Sequence, residues 1–489
     1  MMRKSVWLPV LGASLLLAPS AFAQSLVLNG VTIVDTQSGK LTRNQSVAID
    51  GGKIVRIGRA GTIKTGAGTK AIDARGKYLV PGYLDMHVHS LNEPDPTASL
   101  ELMLANGITG VRQMSGSPEM LQKRRDGQLK LPADGPEILA VPGTVLTGAN
   151  AGTPEAAIAE VDRQKQMGAD FIKVIDVKPD PFFAALGEAK KLGLVFDGHL
   201  QSTSAIEKAA DEGMSAIEHL GPRESVLLGC SSDEDALRKA IAAKPPQAPP
   251  SAPGPAERRL RATTNPTMAT DPVNFDLMKR VVATYSDDKC RALMKRIKKD
   301  GMWMTPTLIR LRTMEFGDDP AYRHSPNLRY VPAKTQQLWQ EMADEFPQIV
   351  TPDRRAMLKK FWALQLRLTK LLDDAGVPMM TGTDSGGVGH WEISGVALHQ
   401  EIDLLHQAGL KPLTILQMTT LNGAKFLHRD DRMGSVAVGK DADLVLLDAN
   451  PAASAANLHR INAVVRSGNY YDKDALERLK QDAAKLAAG

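Results

Sequence analysis

Val80-Pro-Gly-Tyr-Leu-Asp-Met-His-Val-His89 begins as an apolar run and ends on two histidines one residue apart. In a strand, side chains alternate with period two, so His87 and His89 project from one face at its C-terminal end. The pattern recurs further along as short apolar runs that end on a potential ligand. Lys173 lies in Asp170-Phe-Ile-Lys-Val-Ile175, His199 in Phe196-Asp-Gly-His199, His219 in Ala216-Ile-Glu-His219 and Asp384 in Gly382-Thr-Asp-Ser385. Imidazole and carboxylate are ligands for zinc and its neighbours, and a catalytic site keeps one position open for water. Any one of these residues alone reads as a packed or surface group. Six of them on five separate runs, all at the same end, read as a metal site.

Around these runs, residues 81–433 alternate strand and helix. Strands are expected to end near His89, Met114, Val141, Asp176, His199, His219, Thr307 and Asp384. Thr153-Pro154-Glu155 offers an N-cap, an N1 proline and a first-turn acid, and a second helix runs from Ser204 to a stop at Gly213. Eight such strands predict an α/β fold of the (β/α)8 TIM-barrel type, with its site at the C-terminal strand ends. The regularity breaks in two places, near 222–300 and 310–351. The first break contains Lys244-Pro-Pro-Gln-Ala-Pro-Pro-Ser-Ala-Pro-Gly-Pro255, which cannot continue a helix or a central strand. Both insertions leave from the face where the ligands gather, where loops shape access.

The flanks have a different texture. Residues 24–80 and 434–489 carry alternating runs with turn signals such as Asp50-Gly51-Gly52, and they predict one small β-sandwich domain built from both chain ends. Arg3 and Lys4, the apolar stretch from Val6 to Pro19 and Ala21-Phe22-Ala23 form the pattern of a signal peptide over residues 1–23. Gln24 rather than cysteine follows it, which argues against a lipid anchor, so an exported protein in the periplasm or secreted is expected. Removing residues 1–23 takes away Arg3 and Lys4 and no acid, which lowers the formal net charge from +5 to +3. That surplus is too small to argue for nucleic acid or membranes. The basic run Lys295-Arg-Ile-Lys-Lys299 reads as the solvated face of a helix. Cys230 and Cys290 are the only cysteines. One bridge pinning the first insertion and two separate thiols both fit this sequence.

The chain resembles the metal-dependent amidohydrolase superfamily, and within it the prolidase and imidazolonepropionase-like branch. The resemblance rests on residues 80–89, on Gly168-Ala-Asp-Phe-Ile-Lys-Val174, on residues 205–219 and on Gly301-Met-Trp-Met-Thr-Pro-Thr-Leu308. It continues through Gly382-Thr-Asp-Ser385 to Gly434-Ser-Val-Ala-Val-Gly-Lys-Asp-Ala-Asp-Leu-Val445. It implies that His87, His89 and Asp384 hold one metal ion and that His199 and His219 hold a second. Lys173, carried as N6-carboxylysine, would bridge the two. The expected cofactors are two divalent ions, zinc first among them, with Asp384 as the catalytic base. At the second strand the family often has Arg-Asp, whereas this chain has Arg112-Gln113.

These readings predict a hydrolase that cleaves amide bonds of small substrates, dipeptides or N-acyl amino acids. The alternative is a lactonase or phosphotriester hydrolase built on the same centre. A mononuclear deaminase or cyclic-amide hydrolase would leave Lys173 without purpose, and a mere binding protein would leave all six ligands without one. Arg223, after the sixth strand, can pair bidentately with a substrate carboxylate. His390, in the loop Ser385-Gly-Gly-Val-Gly-His390, is a second candidate substrate contact. The expected partner is a small molecule, with no nucleic acid and no membrane, and the chain is expected to form a homo-oligomer.

Overall fold

The alternating runs at the two chain ends meet in one sheet. The structure, a computed structural model, describes residues 25–66, 68–220, 225–243, 255–269, 272–387 and 389–489. The signal-peptide reading, Arg223 and residues 244–254 of the proline run lie outside them. The N-terminal strands are β1 (Leu26–Val34), β2 (Leu41–Asp50), β3 (Lys53–Arg59), β4 (Lys70–Asp73) and β5 (Tyr78–Pro81). The turn between β2 and β3 is Gly51-Gly52, with φ of 54° and 75°, values that favour glycine.

The middle supplies β6 (Tyr83–Val88), β7 (Ile108–Gln113), β8 (Glu137–Ala140), β9 (Leu146–Thr147) and β10 (Phe171–Asp176). It continues with β11 (Val195–Gly198), β12 (Ala216–Glu218) and β13 (Trp303–Thr305). The C-terminal strands are β14 (Leu444–Leu447), β15 (Ile461–Arg466) and β16 (Asn469–Tyr471). The order of the mixed terminal sheet is β16-β15-β14-β5-β1-β2-β3, with β4 parallel to β1. The join between the two chain ends is the antiparallel pair β5–β14, with Val80 opposite Val445. Leu26, Leu28, Val47, Ile49, Leu79, Leu444, Leu446 and Val465 form a core of their own beneath this sheet. The two ends thus share a single eight-stranded hydrogen-bonded sheet.

Among the described residues, the strands β6 to β13 pair only in parallel. β6, β7 and β8 form one run, and β9 to β13 form another in chain order. Two isolated parallel bridges, Met304 to Met379 and Val88 to Ser385, set the segment 379–385 between β13 and β6. Helices fill the connections, as the punctuation predicts. Thr153 caps Pro154–Gln166 by accepting from the Ala156 amide, and Ile206–Glu212 stops at Gly213 in the left-handed region. Among the described residues no helix is long and apolar enough to cross a membrane.

The first insertion region is largely helical where it is described, with Ser225–Gly229, Glu234–Ala242, Pro255–Thr264, Pro272–Ala283 and Asp287–Lys299. The last of these carries the basic run on its outer face and buries Cys290, Leu293, Met294 and Ile297. Cys230 and Cys290 are joined by a disulfide. The second insertion contributes Leu308–Glu315, Pro320–Arg323 and Ala333–Ile349, followed by the long helix Pro352–Ala375.

Candidate metal centre

Backbone hydrogen bonds between neighbouring strand ends gather the six candidate ligands. The Asp384 amide donates to the His87 carbonyl (2.8 Å), His89 to Ser385 (2.7 Å), His199 to Val174 (2.9 Å) and His219 to Thr305 (2.8 Å). The approach is close: a Cβ on Gly382 would lie 2.6 Å from the Cβ of His87, so only glycine fits there. His219 and Asp384 have φ of 69° and 64°, uncommon for non-glycine residues. Such conformations concentrate at functional sites, where the surrounding structure holds them in place.

The side chains converge accordingly. Asp384 Oδ1 lies 2.8 Å from His89 Nε2 and 3.3 Å from His87 Nε2, and Oδ2 lies 3.9 Å from His219 Nε2. The His87 and His219 rings are 4.7 Å apart, and His199 sits against His219 at 4.8 Å. Ligand atoms of His87, His219 and Asp384 all fall within 4.8 Å of one another, a spacing that suits a shared ion. Lys173 is third on β10 and 1% exposed, and its Nζ has no hydrogen-bond partner. Burial lowers its pKa, although Glu218, Asp197 and Asp384 oppose the shift.

A buried polar layer beneath the ligands fixes their orientation. His87 Nδ1 lies 2.7 Å from Glu218 Oε2. Glu218 also accepts from Arg112 Nη2 at 2.5 Å, Arg112 pairs with Asp197, and Arg112 Nε donates to the Met86 carbonyl at 2.7 Å. Although burial opposes it, Arg112 and His87 hold the Glu218 carboxyl well below its ordinary range. As a carboxylate, Glu218 can only accept, so Nδ1 of His87 donates to it and Nε2 is the nitrogen turned towards Asp384. Burial raises the Asp384 pKa, but His87 and His89 outweigh it and hold the group well below its usual value. His87 Nε2 and Asp384 Oδ1 face each other at 3.3 Å. A proton or a metal ion satisfies them, and the buried, partnerless Lys173 amine beside them suits a lysine that acquires a carboxyl group. The donor set fits a metal centre.

Sequence reading missed the polar layer. Gln113 stands where the family often has a carboxylate, and it instead donates to the Ser115 carbonyl (2.9 Å), steadying the loop whose Ser115 Oγ lies 2.8 Å from His89 Nδ1. The orienting carboxylates come from β11 and β12. The available signal was a charge inside each of three apolar runs, Arg112, Asp197 and Glu218, since buried charges require partners. Arg310 was also missed; its Nε lies 3.2 Å from Asp384 Oδ2.

His390 is fully buried rather than open to the site. Its Nδ1 accepts from Asn265 Nδ2 (3.3 Å), its Nε2 donates to the Trp339 carbonyl (3.1 Å) and its ring stacks on Trp391 at 4.7 Å. Burial lowers its pKa to about 4.

The chain is similar to several known proteins. The amidohydrolase family model matches residues 365–470, the stretch that holds Asp384, β14 and β15. Adenine deaminase 3 of Rhizobium johnstonii is 28% identical over 232 residues, which is 44% of this chain and 36% of that protein. The match thus spans well under two thirds of that relative. Solved structures share the fold over nearly the whole chain. A bottromycin amidohydrolase is 19% identical with a TM-score of 0.67, covering 95% of this chain and 90% of its own. A Xaa-Pro dipeptidase with methionine bound in its active site is 18% identical with a TM-score of 0.59, covering 92% and 100%. The chain is thus similar to the amidohydrolase family over residues 365–470 and shares the fold of amidohydrolases over nearly its whole length, with its candidate ligands gathered at adjoining strand ends.

Proposed function

We propose that the protein is an exported hydrolase that uses two divalent ions, zinc first among them, to cleave an amide bond in a dipeptide or an N-acyl amino acid. The observation that carries this reading is the facing of His87 Nε2 and Asp384 Oδ1 beside a buried lysine amine with no partner. His87, His89 and Asp384 would hold one ion, and His199 and His219 the other. Lys173, carboxylated, would reach both: its neutral amine attacks carbon dioxide, an N–C bond forms and one proton leaves to solvent. Bound ions supply acidification of water and polarisation of the scissile carbonyl. Asp384 takes the proton of the attacking water and hands it to the departing amine nitrogen. Glu218, fixed by Arg112, keeps His87 in the tautomer whose Nε2 is free to ligate.

The fold reading is a closed (β/α)8 barrel. Residues 137–147 support it, because they pair with β7 through β8 and with β10 through β9, while residues 379–385 bridge β13 to β6. Similarity in fold to a dipeptidase, and in sequence to a deaminase that acts at a carbon–nitrogen bond, supports amide chemistry. Export rests on the pattern of residues 1–23 alone, and a homo-oligomer, with no nucleic-acid or membrane partner, completes the proposal.

Metal analysis combined with a substrate panel tests it. Two ions per chain and turnover of dipeptides or N-acyl amino acids are expected. A single ion per chain would refute the bridging lysine. Rapid turnover of a lactone or a phosphotriester, with no amide cleaved, would move the assignment to that chemistry.

A further inference from the structure

Arg310 lies in the helix Leu308–Glu315 and is buried, yet its guanidinium reaches the metal-centre carboxylate. Nε contacts Asp384 Oδ2 at 3.2 Å. Nη1 donates to the Thr264 carbonyl at 3.0 Å and to both Glu392 oxygens at 3.2 Å, and Nη2 donates to the Thr263 carbonyl at 2.7 Å. Thr263 and Thr264 end the helix Pro255–Thr264 in the first insertion, whose last carbonyls welcome a cation. Glu392 lies in the loop after Asp384 and is itself held by Thr313 Oγ1 at 2.6 Å. One planar fork therefore ties the first insertion, the second insertion and the loop after Asp384 to a single carboxylate oxygen.

The two oxygens of Asp384 are thereby given different neighbours. Oδ1 faces His87 and His89, and Oδ2 faces Arg310 at 3.2 Å with His219 further off at 3.9 Å. A carboxylate rotates easily about its terminal bond unless both oxygens are engaged. Arg310 cannot rotate with it, because its other nitrogens are fixed by two backbone carbonyls and Glu392. We propose that Arg310 is a positioning residue that locks the plane of Asp384, keeping Oδ1 on the histidine side, and that the docked insertion helix Pro255–Thr264 holds the lock in place. A lysine at this position keeps the charge but not the fork, so it cannot serve all these acceptors at once.

The proposal rests on the metal-hydrolase reading, and its test separates the two by titrating cobalt(II) into the metal-free protein, which needs no substrate. Arg310→Met should bind cobalt(II) about 10–100-fold more weakly, as loss of an outer partner of a ligand does. Its melting should stay cooperative. With an amide substrate in hand, kcat should fall while KM stays within about threefold, since the reacting carboxylate rather than substrate binding is disturbed. Arg310→Lys, the milder change should the methionine variant not fold, should weaken cobalt(II) binding in the same direction. Native cobalt(II) affinity in either variant would overturn the proposal. So would full recovery by lysine, which would make the role one of charge. A rise in KM for free-acid substrates only, with kcat and metal affinity unchanged, would make Arg310 a receptor for substrate carboxylate instead.

Discussion

Lys173 and Glu218 show how one residue's surroundings set its chemistry. With its amine buried and partnerless, Lys173 keeps a full charge only at high cost, which favours the neutral form that can take up carbon dioxide. Lys173→Ala is expected to lose most of its bound metal and nearly all turnover. Two ions per chain and native activity, measured by elemental analysis and kinetics, would refute that role. Glu218 accepts from two donors, His87 Nδ1 and Arg112 Nη2. A glutamine there offers one oxygen and one NH2, so one donor must face another. Glu218→Gln should weaken metal binding about 10–100-fold, read by chelator competition; unchanged affinity would show that His87 needs no such partner. The candidate ligands were legible because each stands out locally, as a histidine, lysine or carboxylate in or at the end of an apolar run. Their orienting partners were not, because Arg112, Asp197 and Glu218 meet only through sheet order. Arg310 was hidden further, in a helix that begins where the sequence reads as an interruption.

At the scale of elements, the insertions are built like parts of the core. The disulfide ties Cys230, just after the helix Ser225–Gly229, to Cys290 in Asp287–Lys299, across 60 residues of sequence. Closing a loop of that size restricts the unfolded chain by about 4 kcal/mol in the entropy model, with much variation in practice. Cys230→Ser with Cys290→Ser should therefore melt several degrees lower than the oxidised protein, and an equal melting temperature would remove the stabilising role. Helix Leu308–Glu315 lies against Pro352–Ala375, where Glu315 Oε1 accepts from Gln365 Nε2 at 2.8 Å. Burial pushes the Glu315 carboxyl from 4.5 up to about 8. Because the folded value is raised, its contribution is complete below about 4.5, where both states are protonated. That contribution is lost progressively as pH rises towards 8. Glu315→Gln, neutral at every pH, should flatten the fall in melting temperature between pH 5 and pH 8; parallel curves for the two proteins would show that Glu315 titrates normally. Periodicity identified the basic helix and the capped helices correctly. It treated 222–300 and 310–351 as irregular because prolines and short amphipathic turns conceal helices whose partners lie far away in sequence.

Across the whole molecule, the terminal sheet runs into the strand that carries His87 with a single residue between them. β5 ends at Pro81 and β6, which carries His87, begins at Tyr83. Gly82 lies between them, its amide donating to the Asp443 carbonyl at 2.8 Å beside β14. Alternation revealed strands at both chain ends, yet it could not name partners, so the β5–β14 register with Val80 opposite Val445 was not legible. Gly82 gave no sign of its importance either, since its role depends on Thr109 of β7. A Cβ at Gly82 would stand 1.9 Å from Thr109 Oγ1 and 2.5 Å from its Cγ2. Gly82→Ala must therefore push β6 away from β7 or twist it against the sheet, and overpacking of this kind costs about 1–3 kcal/mol. Because His87 rides on β6, the same shift should weaken metal binding, so stability and cobalt(II) affinity should fall together. Thr109→Gly removes the clashing atoms, so the double variant Gly82→Ala with Thr109→Gly should recover affinity relative to Gly82→Ala alone, a coupling that a double-mutant cycle measures. Native affinity in Gly82→Ala would show that β6 tolerates the displacement. Additive losses in the double variant would show that the contact with Thr109 is not what transmits it.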